Sequence, residues 1–107
     1  MRLGQKQELF SRLLPRLLDR AHELGFEVRC GDLARSVEEA TRLGKPSSVH
    51  TLRLAIDIHL LRDGVYLMAT EDHRPLGEFW VSLHPLCRWG GAFGDGNHYS
   101  LTHGGVR

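Results

Sequence analysis

A chain of 107 residues has room for one small domain, since folding at this length hides roughly 60 to 70% of the unfolded surface and supports a single core. Fourteen basic and thirteen acidic residues leave a formal charge of +1, with no basic run or aromatic-basic stripe, which argues against nucleic acid as a partner. The longest apolar runs are only a few residues and the opening "MRLGQKQELF" lacks the apolar stretch and cleavage site of a signal peptide, so cytoplasmic synthesis without membrane insertion is expected.

Leu9, Leu13, Leu17 and Ala21, flanked by Phe10, Leu14, Leu18 and Leu24, recur at helical spacing and predict an amphipathic helix ending at Gly25. Pro15 either kinks that helix or opens its second half. "FEVRC" alternates as a short strand with Phe26, Val28 and Cys30 on one side. Ser36 with Glu39 forms a capping-box pattern for a short helix that Gly44 can close, and "KPSSV" reads as a loop.

From Leu52 to Leu61 the pattern is a strand, with Leu54, Ile56, Ile58 and Leu60 on one face and Arg53, Ala55, Asp57 and His59 on the other. Asp63-Gly64 then turns into a second antiparallel strand, "VYLM". Pro75 suits a first helical turn, followed by Leu76, Phe79, Trp80 and Leu83 as a buried stripe stopped by Pro85. "WGGAFGDG" reads as a glycine-rich loop. In "NHYSLT", His98 and Ser100 share one face of a strand, Tyr99 and Leu101 the other. The elements together predict one α+β domain over residues 1 to 107, an antiparallel sheet with helices packed on one side.

Two histidines and a carboxylate are a common ligand set for catalytic zinc, which keeps a fourth position for water. His50, Asp57 and His98 can supply it, provided the chain bends after His50, because seven residues of straight strand would span about 23 Å. The loop before Leu52 is the expected place. Asp95, three residues before His98, can approach a metal-bound water without being a ligand, as a general base must. Cys30 and Cys87 form no CxxC pair and are expected to be buried free thiols. His59 is expected at a core edge or in solvent, His73, His84 and His103 in structural roles, Trp80 in the core, and Trp89 either in the core or along a cleft.

"SVHTLRLAID" followed by "DGNH" resembles the zinc peptidases of peptidoglycan, the D-alanyl-D-alanine carboxypeptidases and phage L-alanyl-D-glutamate endopeptidases, whose shared pattern is SxHxxGxAxD with a later [DE]xxH. Ser48, His50, Ala55 and Asp57 match the first motif, Asp95 and His98 the second. "EDHRPLGEFW" and "HPLCRWGGAFGDGNHYSLTHGG" are similar to the phage endopeptidase branch. The resemblance implies a Hedgehog/D-alanyl-D-alanine peptidase type of fold, zinc on His50, Asp57 and His98, Asp95 as catalytic base, and Arg35 as the arginine that binds substrate and the developing oxyanion, with Ser48 also at the substrate. It implies a monomeric hydrolase of peptidoglycan stem peptides, a phage or prophage lysin acting on the cell wall once the membrane is breached. Two rivals remain: a D,D- or L,D-carboxypeptidase on the same scaffold, and a non-catalytic zinc-containing wall-binding domain. One departure stands out, because Arg53 occupies the glycine position of the first motif.

Overall fold

A computed structural model of the chain describes residues 1–31, 42 and 52–104. The first element, α1 (Leu3–Glu23), runs unbroken through Pro15, and its stripe of Phe10, Leu13, Leu17 and Ala21 is buried. Pro15 lies on the exposed side, where the missing N–H and the local widening meet solvent. After Gly25, at a φ of +85°, the chain enters β1 (Glu27–Cys30).

The central strand is β2 (Ala55–Arg62), beginning three residues later than the sequence pattern predicts. Arg53 is the cause: its φ of +57° is left-handed and breaks the extended backbone before Ala55. A bend therefore sits at the residue that replaces the motif glycine. Asp63 and Gly64, at φ of +53° and +78°, form the tight turn that the Asp-Gly pair predicts and lead into β3 (Val65–Leu67).

The second helix, α2 (Thr70–Leu83), starts five residues before Pro75, so proline is not at its first turn. The Asp72 carboxylate accepts the Ala69 N–H at 3.1 Å and fixes the earlier start, and Pro75 sits on an exposed face. The glycine-rich segment also contains more order than its composition suggests. It includes β4 (Cys87–Trp89) and a 3-10 turn (Gly90–Phe93) before β5 (His98–Leu101).

All strand pairs are antiparallel, in the order β1-β2-β5-β4, with β3 also on β2. Strands β3 and β5 occupy successive stretches of the same edge of β2. Leu60 to Arg62 pair with β3 and Ala55 to Asp57 with β5, so the two ladders part at Ile58 and His59. Leu54, Ile56, Ile58 and Leu60 meet Tyr99, Leu101 and the two helices in one core, where Phe10 and Trp80 stack edge to face at 5.8 Å. The Trp80 indole N–H donates to the Ser100 carbonyl at 3.0 Å, tying α2 to β5. Helices thus cover one face of the sheet, and the expected α+β architecture is found.

The thiols divide. Cys87 is buried, which pushes its pKa up to about 12 and makes it a poor nucleophile. Cys30 is exposed, contrary to the expectation of burial, because it ends β1 at the edge of the sheet. Trp80 is core as expected. His103 bonds Lys6 Nζ at 3.0 Å, and His84 Nδ1 accepts the Leu86 N–H at 3.1 Å, so both hold local structure.

Candidate metal and hydrolytic site

Asp57 faces away from the helices because β2 alternates, and His98 faces the same way because it is Asp57's register partner on β5. The Asp57 carbonyl accepts the Gly31 N–H at 2.7 Å on the β1 side, so toward β5 the residues form a non-hydrogen-bonded pair, the arrangement that brings opposed side chains nearest. His98 Nδ1 accordingly lies 3.4 Å from Asp57 Oδ1. His98 is 6% exposed, whereas the Asp57 side chain retains 22% of its surface.

Asp95 reaches this place through the turn before β5. Its N–H donates to the Gly90 carbonyl at 2.8 Å, and its own carbonyl accepts the His98 N–H at 3.1 Å. Gly90 is needed because a Cβ there would run into the Asp95 carbonyl oxygen and lie 2.8 Å from His98 Cβ. Trp89 clamps the turn from below, donating its indole N–H to the Gly96 carbonyl at 2.7 Å. A Cβ on Gly77 or Gly91 would strike that indole, so the two glycines are the space in which it lies. The guanidinium of Arg74 sits 5.3 Å from the indole ring centre. Trp89 is therefore a buried support for the turn, and of the two places open to it in the sequence it takes the core.

A second buried histidine lies on the helix side of β5. His73 is 2% exposed and its Nδ1 is 2.9 Å from the Tyr99 hydroxyl. Burial pushes the imidazole below its ordinary value, against the opposing pull of the Asp72 carboxylate; His59 and Asp95 also lie within electrostatic reach. Burial raises the Tyr99 phenol as well, so it keeps its proton. His59 is exposed at the mouth of a cleft of about 370 Å³ where β3 and β5 part, a cleft that His73 and Asn97 also line.

Asp57, Asp95 and His98 are thus brought to one end of the β2–β5 pair. His50, Ser48 and Arg35 lie outside the described residues, as do the predicted capping box and the "KPSSV" loop. Among the described residues no group of three or more His, Cys, Asp or Glu side chains converges, so what is seen is a nitrogen and an oxygen donor side by side. Such a pair fits two of the three protein positions in a zinc set of two histidines and one carboxylate. Sequence reading missed the supports around it. Their signal was a glycine inside a helix, Gly77, where close approach is the usual reason.

No protein-family model matches the chain, and no curated protein matches it. Among solved structures, the fold is similar to the L-Ala D-Glu endopeptidase ChiX of Serratia marcescens, with a TM-score of 0.61 and 21% identity over 86% of this chain and 79% of that one. The likeness establishes the fold.

Proposed function

We propose that this chain is a zinc-dependent peptidase that hydrolyses amide bonds in peptidoglycan stem peptides, as an endopeptidase of the L-alanyl-D-glutamate type made by a phage or prophage. The observation that carries the reading is the Asp57–His98 pair beside the turn that holds Asp95, on a fold similar to that of an enzyme named for this reaction. Asp57 and His98, with His50 as third donor, would hold the ion. Zinc at such a site supplies an acidified water and polarises the amide carbonyl.

The chain's own groups do the rest. Asp95, tethered through both its N–H and its carbonyl, offers a carboxylate that takes a proton from the attacking water and returns it to the leaving amine. Arg35 stabilises charge on the carbonyl oxygen. Trp89 and Gly90 hold the base in register with His98. The enzyme would meet its substrate once the inner membrane is breached; among the described residues no helix is long and apolar enough to cross a membrane.

Purified sacculi incubated with the protein should lose turbidity and gain free amino groups without new reducing sugar ends, and mass spectrometry of the fragments should place the new amine on D-glutamate. New reducing ends would make the protein a glycosidase, and release of terminal D-alanine alone would make it a carboxypeptidase. Casein cleaved at a comparable rate would remove the preference for the wall.

A further inference from the structure

The turn that holds Asp95 also carries an apolar ring. Its 3-10 segment, Gly90–Phe93, ends at Gly94, which takes a φ of +76° and caps the segment with its N–H on the Gly90 and Gly91 carbonyls. A residue with a side chain is strained in that left-handed conformation, so glycine lets the chain reverse directly after Phe93. Asp95 then returns its N–H to the Gly90 carbonyl at 2.8 Å. The Phe93 ring is left beside His98, with ring centres 6.1 Å apart and planes tilted by 57°. That separation lies within the range of aromatic rings in contact.

Phe93 is 46% exposed, much as Val81 on α2 is at 48%, yet it lies against a candidate metal ligand that is itself buried. His98 is thus approached from two sides, by the Asp57 carboxylate at 3.4 Å from Nδ1 and by the Phe93 ring. The ladder to β2 fixes the backbone of His98, but the last torsion of a histidine side chain has a broad well. The tilt of the imidazole is therefore set by what stands beside it. An apolar wall also keeps water from the ring, and apolar surroundings of a metal ligand govern solvent access and strengthen the electrostatics inside.

We infer that Phe93 is a positioning residue for the metal: it holds the His98 imidazole beside Asp57 and screens it from water, so that zinc binds more tightly than the donors alone would hold it. This role rests on the zinc set of the proposed function and concerns affinity for the ion, not the cleavage step. A ring present only for the fold would behave differently. Nearly half of Phe93 is in solvent, so truncating it removes little buried area from the metal-free protein. Loss of a ring that supports the ligand should show chiefly once the ion is bound, because a ligand of the folded state stabilises according to its affinity.

The test is zinc affinity, read by competition with a chromophoric chelator, together with melting temperatures taken with and without zinc. Phe93→Ala should bind zinc at least tenfold more weakly, the lower end of the roughly 10- to 100-fold lost when the partners around a metal ligand are removed. Its rise in melting temperature on loading should shrink, while the metal-free value stays close to wild type. Phe93→Tyr keeps the ring and should keep wild-type affinity. Val81→Ala trims an equally exposed apolar side chain on α2 and should leave zinc affinity unchanged. Unchanged affinity in Phe93→Ala would overturn the role, as would a metal-free melting temperature that falls as far as the loaded one. A Phe93→Ala protein that does not fold would overturn it too, since the ring would then belong to the fold. Binding is read without turnover, so a protein whose zinc affinity depends on Phe93 but which leaves sacculi intact keeps this role and loses the proposed function. One that cleaves sacculi and binds zinc equally with and without the ring does the reverse, and a wild type with no affinity for zinc loses both.

Discussion

Two histidines are buried on opposite faces of the same strand pair, and they differ in the partner at Nδ1. His73, at 2% exposure, meets the Tyr99 hydroxyl; His98, at 6%, meets the Asp57 carboxylate. Tyr99 and His98 are neighbours on β5, so the alternation of a single strand separates the two environments. Burial alone therefore does not say what an imidazole is for. Beside a phenol in the core, the neutral ring is a hydrogen-bonding pivot between α2 and β5. Beside a carboxylate on the open face, with a tethered aspartate three residues earlier, it has the donor neighbour that the proposed zinc site requires.

The comparison breaks most decisively at His98. His98→Ala should lose most of the bound zinc by plasma emission and all measurable hydrolysis of sacculi, with a lower melting temperature than the metal-loaded wild type, because a ligand that binds only the folded state adds to stability. His73→Phe should keep one zinc per chain. A fully loaded His98→Ala protein would remove His98 from the ligand set.

Asp95→Asn comes next. It keeps the size of the side chain and the backbone bonds to Gly90 and His98 but removes the proton acceptor, and a positioned base contributes about 100- to 10,000-fold in rate. Zinc content and melting temperature should stay at wild-type values while turnover falls by that factor. Loss of zinc would instead make Asp95 a ligand; near-normal turnover would give the proton to another group.

Gly90→Ala separates the two faces by packing. The new methyl group meets the Asp95 carbonyl and His98 Cβ, both in the backbone-braced turn, so the turn must shift. Overpacking of this kind costs about 1–3 kcal/mol, which for a domain of this size lowers the melting temperature by roughly 4–8 °C per kcal/mol. Activity should fall with the displacement of Asp95, and the His73 ring signals should stay in place. A variant as stable and active as the wild type would show that the turn is looser than its contacts imply.

How these two environments arise was only partly legible in the sequence. The strand alternation put Asp57 on the open face and Ile56, Ile58 and Leu60 in the core, because the two faces of β2 carry different residue types. The Asp63-Gly64 turn was legible because few residues accept its backbone. Register was not: nothing local sets Asp57 against His98, and the resemblance to the peptidase motifs supplied what spacing lacked. The strand Cys87–Trp89 was hidden by its three-residue length between Pro85 and Gly90. The start of α2 was misread because Pro75 resembles a first-turn proline, while the operative contact is Asp72 to the Ala69 N–H. The place of Trp89 depends on two glycines, one on α2 and one after β4, that meet only in the folded chain.

Acid should next sharpen the comparison, with a smaller effect. The folded His73 pKa is depressed from 6.5, so below pH 6.5 the unfolded chain binds more protons there and stability falls as pH drops; above 6.5 both states are neutral and the contribution is flat. Melting temperatures of the metal-free protein between about pH 7.5 and 5 should decline more steeply for the wild type than for His73→Phe. Parallel slopes would mean that His73 takes up its proton in the folded state as readily as in the unfolded one.

The smallest expected effect lies where the chain enters β2. Arg53 is exposed and holds a φ of +57°, a conformation that costs a non-glycine residue about 1–2 kcal/mol. Glycine would relieve that strain, while adding unfolded-state freedom worth about 0.5–1 kcal/mol in the other direction. Arg53→Gly should therefore be neutral or more stable by up to about 1.5 kcal/mol, and it should leave zinc content unchanged, since the bend that precedes Asp57 is already made. Arg53→Val should be less stable than the wild type, because a β-branched side chain tolerates positive φ poorly. Melting temperatures of the three proteins rank the outcome. If glycine destabilises by more than about 1 kcal/mol, the arginine side chain itself is holding the bend; if valine is as stable as arginine, Arg53 does not sit at positive φ, and the late start of β2 needs another cause.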